Sequence, residues 1–213
     1  MILYNPHDGD AIVTATRSSP KHCFLMTRLG DEIPEEVRDM RAAITKHCKA
    51  AGFTVIDAGT RVTGRDFLLK IWGLIAASPL SVGLLHPKIP AKTQANIYYE
   101  LGIAQALGKE TLLVKAPRSR VPSDFIRTEY VNYDQHFDEK FSAFMQSLPE
   151  QADHYETVAD QLDRNPVLAL DYLRRAYLIT GEPRLHEKAK SILQAANIKD
   201  RARNSVEQLT AAF

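Results

Sequence analysis

Leu80-Ser81-Val82-Gly83-Leu84-Leu85 is apolar on both faces. A strand of that kind belongs in the middle of a parallel sheet, where helices cover it above and below. Its flanks support this placement. Upstream, Phe67, Leu68, Ile71, Leu74 and Ile75 recur at helical spacing from about Arg65 to Ala77, and Pro79 closes that helix. Downstream, after a loop, Asn96 to Gly108 reads as a further helix and Thr111-Leu112-Leu113-Val114 as the next strand.

The alternation continues outward in both directions. Cys23-Phe24-Leu25-Met26-Thr27 is a short apolar strand, followed by a loop from Arg28 to Ile33. Pro34 with Glu35 and Glu36 marks a helix start. That helix carries Val37, Met40, Ile44, Cys48 and Ala51 on one face and stops at Gly52. Phe53-Thr54-Val55-Ile56 is a strand leading into a polar loop from Asp57 to Gly64, and Tyr130-Val131-Asn132-Tyr133 is a fifth strand before a helix from about Asp138 to Ser147. Strands alternating with helices of this length predict right-handed βαβ units and a mostly parallel, five-stranded, doubly wound α/β sheet. Ligands in such sheets bind beyond the carboxyl ends of the strands. The loops starting at Arg28, Asp57, His86 and Lys115 all lie at that edge.

Three segments are expected: an N-terminal arm over 1–21, the α/β domain over 22–148 and an all-helical extension over 149–213. The extension breaks at Asn165-Pro166 and Gly181-Glu182-Pro183. Its run from Ala169 to Tyr177 has a loose tetratricopeptide character, but one partial unit supports no solenoid. It reads as a helical cap, or as a surface for self-association or a partner protein.

Composition excludes several classes. Apolar residues at 45% and charged residues at 25% are ordinary for a globular chain and argue against disorder. Lys+Arg and Asp+Glu nearly cancel at 27 and 26, so no basic excess points to direct nucleic-acid binding. No apolar run approaches the ~20 residues that span a bilayer, and the start, Met1 to Asp8, lacks the basic and apolar regions of a secretory segment. A reduced, cytoplasmic location is expected. Cys23 and Cys48 each follow a histidine, which raises the question of zinc, but a small apolar cysteine on a strand or helix face is the commoner outcome. No metal and no bound cofactor are expected. Phosphate-loop, dinucleotide-turn, zinc-protease and serine-hydrolase motifs do not occur.

One charge is out of place. At about 100° per residue, Ile97, Leu101, Ala104, Leu107 and Ile103 form the apolar arc of the Asn96 helix, with Tyr98, Gly102 and Gln105 toward solvent. Glu100 falls inside that arc, and Asn96, one turn earlier, points the same way. A carboxylate on a core-facing stripe is costly unless it is paired or opens into a cavity. Two readings follow: a buried glutamate satisfied by Arg61 or Arg65, or a functional carboxylate at the ligand-binding edge.

The segment Asn96-Ile97-Tyr98-Tyr99-Glu100-Leu101-Gly102-Ile103-Ala104-Gln105-Ala106-Leu107-Gly108-Lys109 resembles the N-V-x-Y-E-L-G-x-A-x-A-x-G-K signature of nucleoside 2-deoxyribosyltransferase-like and TIR-like nucleotide-binding proteins, many of them in bacterial antiviral systems. The likeness extends more weakly over residues 22 to 147. It implies a flavodoxin-like fold and cleavage of a base–sugar bond, with Glu100 as the catalytic carboxylate. Asn96, Tyr99, Arg28, Arg65, Asp66 and His86 are then candidate substrate-binding residues. NAD or a deoxynucleotide is the implied substrate. Where many relatives carry an acidic residue at the end of the third strand, this chain has His86 and a longer loop bearing Lys88 and Lys92. Two lysines there would suit a phosphate-bearing ligand. Loss of the acid leaves open a silent nucleotide sensor that signals through the helical extension.

Overall fold

A computed structural model of the chain describes residues 18–30, 32–61, 67–122 and 129–195. Five strands form one sheet: β1 (His22–Met26), β2 (Thr54–Ile56), β3 (Leu80–Leu85), β4 (Glu110–Lys115) and β5 (Tyr130–Asn132). Their spatial order is β2-β1-β3-β4-β5, and every pairing is parallel. This is the flavodoxin-like order, whose topological switch point lies between β1 and β3. At that junction Met26 pairs with Gly83, and on the other side of β3 Leu85 pairs with Lys115. All six β3 residues are buried, as a central strand requires.

Helices cover both faces. On one side lie α1 (Glu35–Ala50) and α5 (Phe137–Asp160), over a core that includes Leu25, Val82, Leu84, Leu112 and Val114. On the other lie α3 (Phe67–Ala77) and α4 (Ala91–Ala106), over Phe24, Met26, Leu85 and Leu113. A short helical turn, α2 (Ala58–Arg61), follows β2. The alternation of partners along β1 follows from the twofold side-chain period of a strand.

Two expectations need correction. First, α4 starts at Ala91, five residues before the expected Asn96, so Lys92 stands on the first helical turn and the connection after β3 is only His86 to Pro90. This start carries no side-chain cap to announce it. The Gln94 amide instead donates to the carbonyls of Ile89 (2.7 Å) and His86 (3.4 Å), and buried Ile89 pins the turn to the core.

Second, the boundary drawn at 148/149 falls within α5, which runs without interruption past Pro149. The proline removes one backbone donor. The helix continues because its buried face, Phe141, Phe144, Met145, Leu148 and Ala152, stays in contact with the core on both sides of it. Helices α6 (Pro166–Thr180) and α7 (Pro183–Ala195) start at the expected breaks. Leu170, Leu173, Ile179 and Leu185 join the same core as β1 and β3, so the helical extension is packed as part of the α/β body. Before β1, Ser19 N–H donates to the Ala77 carbonyl and Lys21 N–H to that of Leu178. No helix among the described residues is long and apolar enough to cross a membrane.

Candidate active site

Helix α4 reaches the sheet closely because β3 carries Gly83 beneath it. A Cβ on Gly83 would lie 2.6 Å from Leu101 Cδ1 and 3.1 Å from Ile97 Cγ2. With Ile97, Leu101 and Ala104 buried, the same helix turns Thr93, Asn96 and Glu100 along one flank. These three positions recur at three- and four-residue spacing, so their side chains stack above one another.

That flank borders a cavity of about 350 Å³ at the carboxyl end of β1, next to the switch point. Phe24, Met26, Phe67, Ile71 and Ile97 supply apolar wall, while Thr27, Arg28, Thr93, Asn96 and Glu100 supply the polar groups. An apolar lining with a few convergent polar side chains is the usual make-up of a small-molecule site, and the volume lies within the usual range.

Glu100 is the charge that stands out. Its carboxylate has no hydrogen-bond or salt-bridge partner among the described residues, and burial pushes its pKa up from 4.5 to about 7. Arg28, half-buried, is the one cation among the described lining residues, and it does not offset this rise. Near neutral pH, Glu100 therefore exchanges readily between acid and carboxylate. Such a group can stabilise positive charge or move a proton inside a site of low dielectric.

The other candidate residues divide. Asn96, Arg28 and Glu100 come together around the cavity. Tyr99 does not: it is 48% exposed, whereas Tyr98, expected toward solvent, packs against the core and donates its hydroxyl to the Arg120 carbonyl at 3.1 Å. His86 is absent from the cavity lining, and its Nδ1 accepts from Lys88 N–H at 3.1 Å. The Lys88 ammonium binds Glu36 on α1, which holds that carboxyl below its usual pKa. Neither lysine of the β3–α4 segment lines the cavity. Arg65 and Asp66, and the side chain of Arg61, lie outside the described residues.

No family model matches this chain, and no curated protein does.

Sequence reasoning passed over Thr27 and Thr93. Thr27 had a signal, a hydroxyl ending an otherwise apolar strand at the ligand edge. Thr93 had none, because its segment read as loop. Asp57, 4% exposed at the end of β2, was also passed over, and it forms an ion pair with Arg41 on α1. The two histidine–cysteine pairs meet through their thiols, but the histidines turn to other partners. His22 Nδ1 meets the Pro20 carbonyl at 2.8 Å, and His47 lies between Asp138 (2.7 Å) and Ser142 (3.1 Å). Cys23 and Cys48 are buried free thiols, and the hydrogen bond with Cys48, followed by burial, raises the Cys23 pKa. No three metal-ligating side chains gather among the described residues.

Proposed function

We propose that the protein cleaves the bond between base and sugar in a nucleotide or nucleoside, with Glu100 as the catalytic carboxylate. The observation that carries this reading is a glutamate with no partner among the described residues, its pKa raised to about 7, in a 350 Å³ cavity at the sheet's switch point. Buried carboxylates are ordinarily paired or hydrogen-bonded, and among the described residues no group offsets the desolvation of this one. The resemblance of the Asn96–Lys109 segment to deoxyribosyltransferase-like and TIR-like proteins supports the same chemistry.

In this mechanism the apolar wall takes the base and the α4 flank faces the sugar. As the C–N bond breaks, its electron pair leaves with the base and positive charge grows on the anomeric carbon. Ionised Glu100 stabilises that charge, or bonds to the carbon, in surroundings where water screens it little. Water or an acceptor base then takes the sugar. Asn96, one turn away, orients the sugar hydroxyls. Arg28 provides a positive group for a phosphate, which favours NAD or a deoxynucleotide over an uncharged nucleoside.

A silent sensor is the second reading, and one contact favours it. The Arg175 guanidinium of α6 lies over Gly108, where α4 ends, so the helical region touches the helix that carries Glu100. Incubation with NAD and deoxynucleoside monophosphates separates the two: an enzyme releases free base and its Glu100→Gln variant does not, while a sensor binds without release.

A further inference from the structure

Five large apolar side chains stand exposed among the described residues: Phe67, Tyr99, Tyr130, Val167 and Leu168. Phe67, 45% exposed, is the one among them that lines the Glu100 cavity. It is the first residue of α3, whose amino end lies at the carboxyl edge of the sheet because the helix runs back toward the start of β3. Ile71, one turn further on, lines the cavity too and is only 3% exposed. Residues four apart share a helix face, and their side chains lean toward the helix's amino end. The Phe67 ring therefore stands on the same face as Ile71, one level nearer the ligand edge, where solvent reaches it. Single exposed apolar residues are common on proteins, but an aromatic ring at the opening of a cavity with polar groups inside is placed to cover a ligand's flat face.

We propose that Phe67 is the stacking platform for the base of the bound nucleotide, and that it favours purines over pyrimidines. This rests on the reading of the cavity as a nucleotide site. A base presents two flat faces, and an aromatic ring matches them without needing any hydrogen-bond pattern. The ring is within reach of a ligand, since water already touches it. A base laid on it expels that water and buries apolar area on both partners. Phenylalanine turns about only two side-chain bonds, so holding the ring in place loses little entropy. Asn96 and Glu100 border the cavity from α4 while Phe67 borders it from α3, so base and sugar are held by different helices. A purine's second ring overlaps more of the platform than a pyrimidine's single ring, and base preferences of such sites follow stacking strength.

The test uses Phe67→Leu, which stays apolar but loses the ring, and Phe67→Tyr, which keeps it. At an exposed position neither substitution threatens the fold. Binding to the full chain is titrated by calorimetry, with Glu100→Gln as background to prevent turnover. The probes are NAD, dAMP, dGMP, dCMP, dTMP and 2-deoxyribose 5-phosphate, which carries sugar and phosphate without a base. Phe67→Leu should weaken dAMP and dGMP roughly tenfold, and Phe67→Tyr by no more than about twofold. Binding of the base-free sugar phosphate should be the same with Phe, Leu or Tyr at this position. With Phe67 in place the purine nucleotides should bind more tightly than dCMP and dTMP, and Phe67→Leu should narrow that gap. Undiminished purine binding by Phe67→Leu, or an equal loss for the base-free sugar phosphate, overturns the stacking role. Equal binding of purines and pyrimidines overturns the preference. Binding that depends on the Phe67 ring, with no base released by the unmodified chain, overturns the proposed reaction and leaves the stacking role supported, whereas no binding of any probe overturns both.

Discussion

Leu101 occupies the space above Gly83 that any other residue would need: a Cβ there would lie 2.6 Å from Leu101 Cδ1. Since Leu101 follows Glu100 in α4, the missing side chain on β3 sets how deeply the Glu100 carboxylate sits. Gly83→Ala must push Leu101 and Ile97 outward from a core in which both are buried. A loss of about 1 to 3 kcal/mol in stability is expected. The displaced Glu100 should also lower kcat/KM for base release by more than tenfold. Denaturant unfolding and steady-state rates check the two effects; full activity in Gly83→Ala would show that α4 is not held by this contact.

Activity should follow the ionisation of Glu100. The proposed role needs the carboxylate, and its pKa lies at about 7. The rate therefore rises with pH and levels off above a midpoint near 7, shifted downward when bound substrate brings positive charge close. A profile that falls through the same range would mean that the protonated form acts, as a general acid toward the leaving base.

Stability carries the same group with a definite sign. Folded Glu100 holds a proton up to about pH 7, while the unfolded chain releases it near 4.5. Stability contributed by this difference is present at low pH and declines as pH rises between those values, by up to about 3 kcal/mol. Glu100→Gln should match the unmodified protein near pH 4 and exceed it at pH 8. Equal stability of the two at both pH values would contradict the burial of an unpaired carboxylate.

Lys109 acts in the opposite window. Burial first, then neighbouring Arg174, lowers its pKa from 10.5 to about 7, although its ammonium donates to the Ala76 carbonyl at 2.6 Å. Folding thus drives off a proton that the unfolded chain keeps up to about 10.5, and stability rises with pH from 7 upward. The stability of Lys109→Met relative to the unmodified protein should be greatest below pH 7 and shrink toward pH 10. A difference that stays constant over that range would contradict this.

Gly108 and Arg175 form a coupled pair. Gly108 has φ +65°, and a Cβ on it would lie 2.5 Å from the guanidinium that stacks near Tyr155 and Tyr172 and pairs with Asp171 at 2.9 Å. Gly108→Ala should cost about 1 to 3 kcal/mol, from left-handed backbone strain and from displacement of Arg175. A double-mutant cycle checks the second part: Gly108→Ala should cost less in an Arg175→Ala background.

The sheet was legible because its strands are separated by helices of clear period, and β3 declared its central position by being apolar on both faces. Glu100 and Asn96 were legible for a related reason, since a polar residue on an otherwise apolar helical arc signals a cavity. Tyr99 was misplaced because helical spacing gives angular order, but the packing of α4 against β3 and β4 fixes which of two adjacent tyrosines turns inward. The early start of α4 was hidden because Gln94 and buried Ile89, rather than a capping side chain, hold it.

Chromatography of free base shows whether Glu100 breaks a base–sugar bond, as proposed. The unmodified protein, in a defined oligomeric state, and its Glu100→Gln variant are each incubated at pH 7.5 with NAD and the four deoxynucleoside monophosphates. Nicotinamide or a nucleobase is expected from the unmodified protein, with a loss of at least about a thousandfold in the variant. Release at the same rate from both proteins, or from neither while nucleotide is bound, would contradict the proposal.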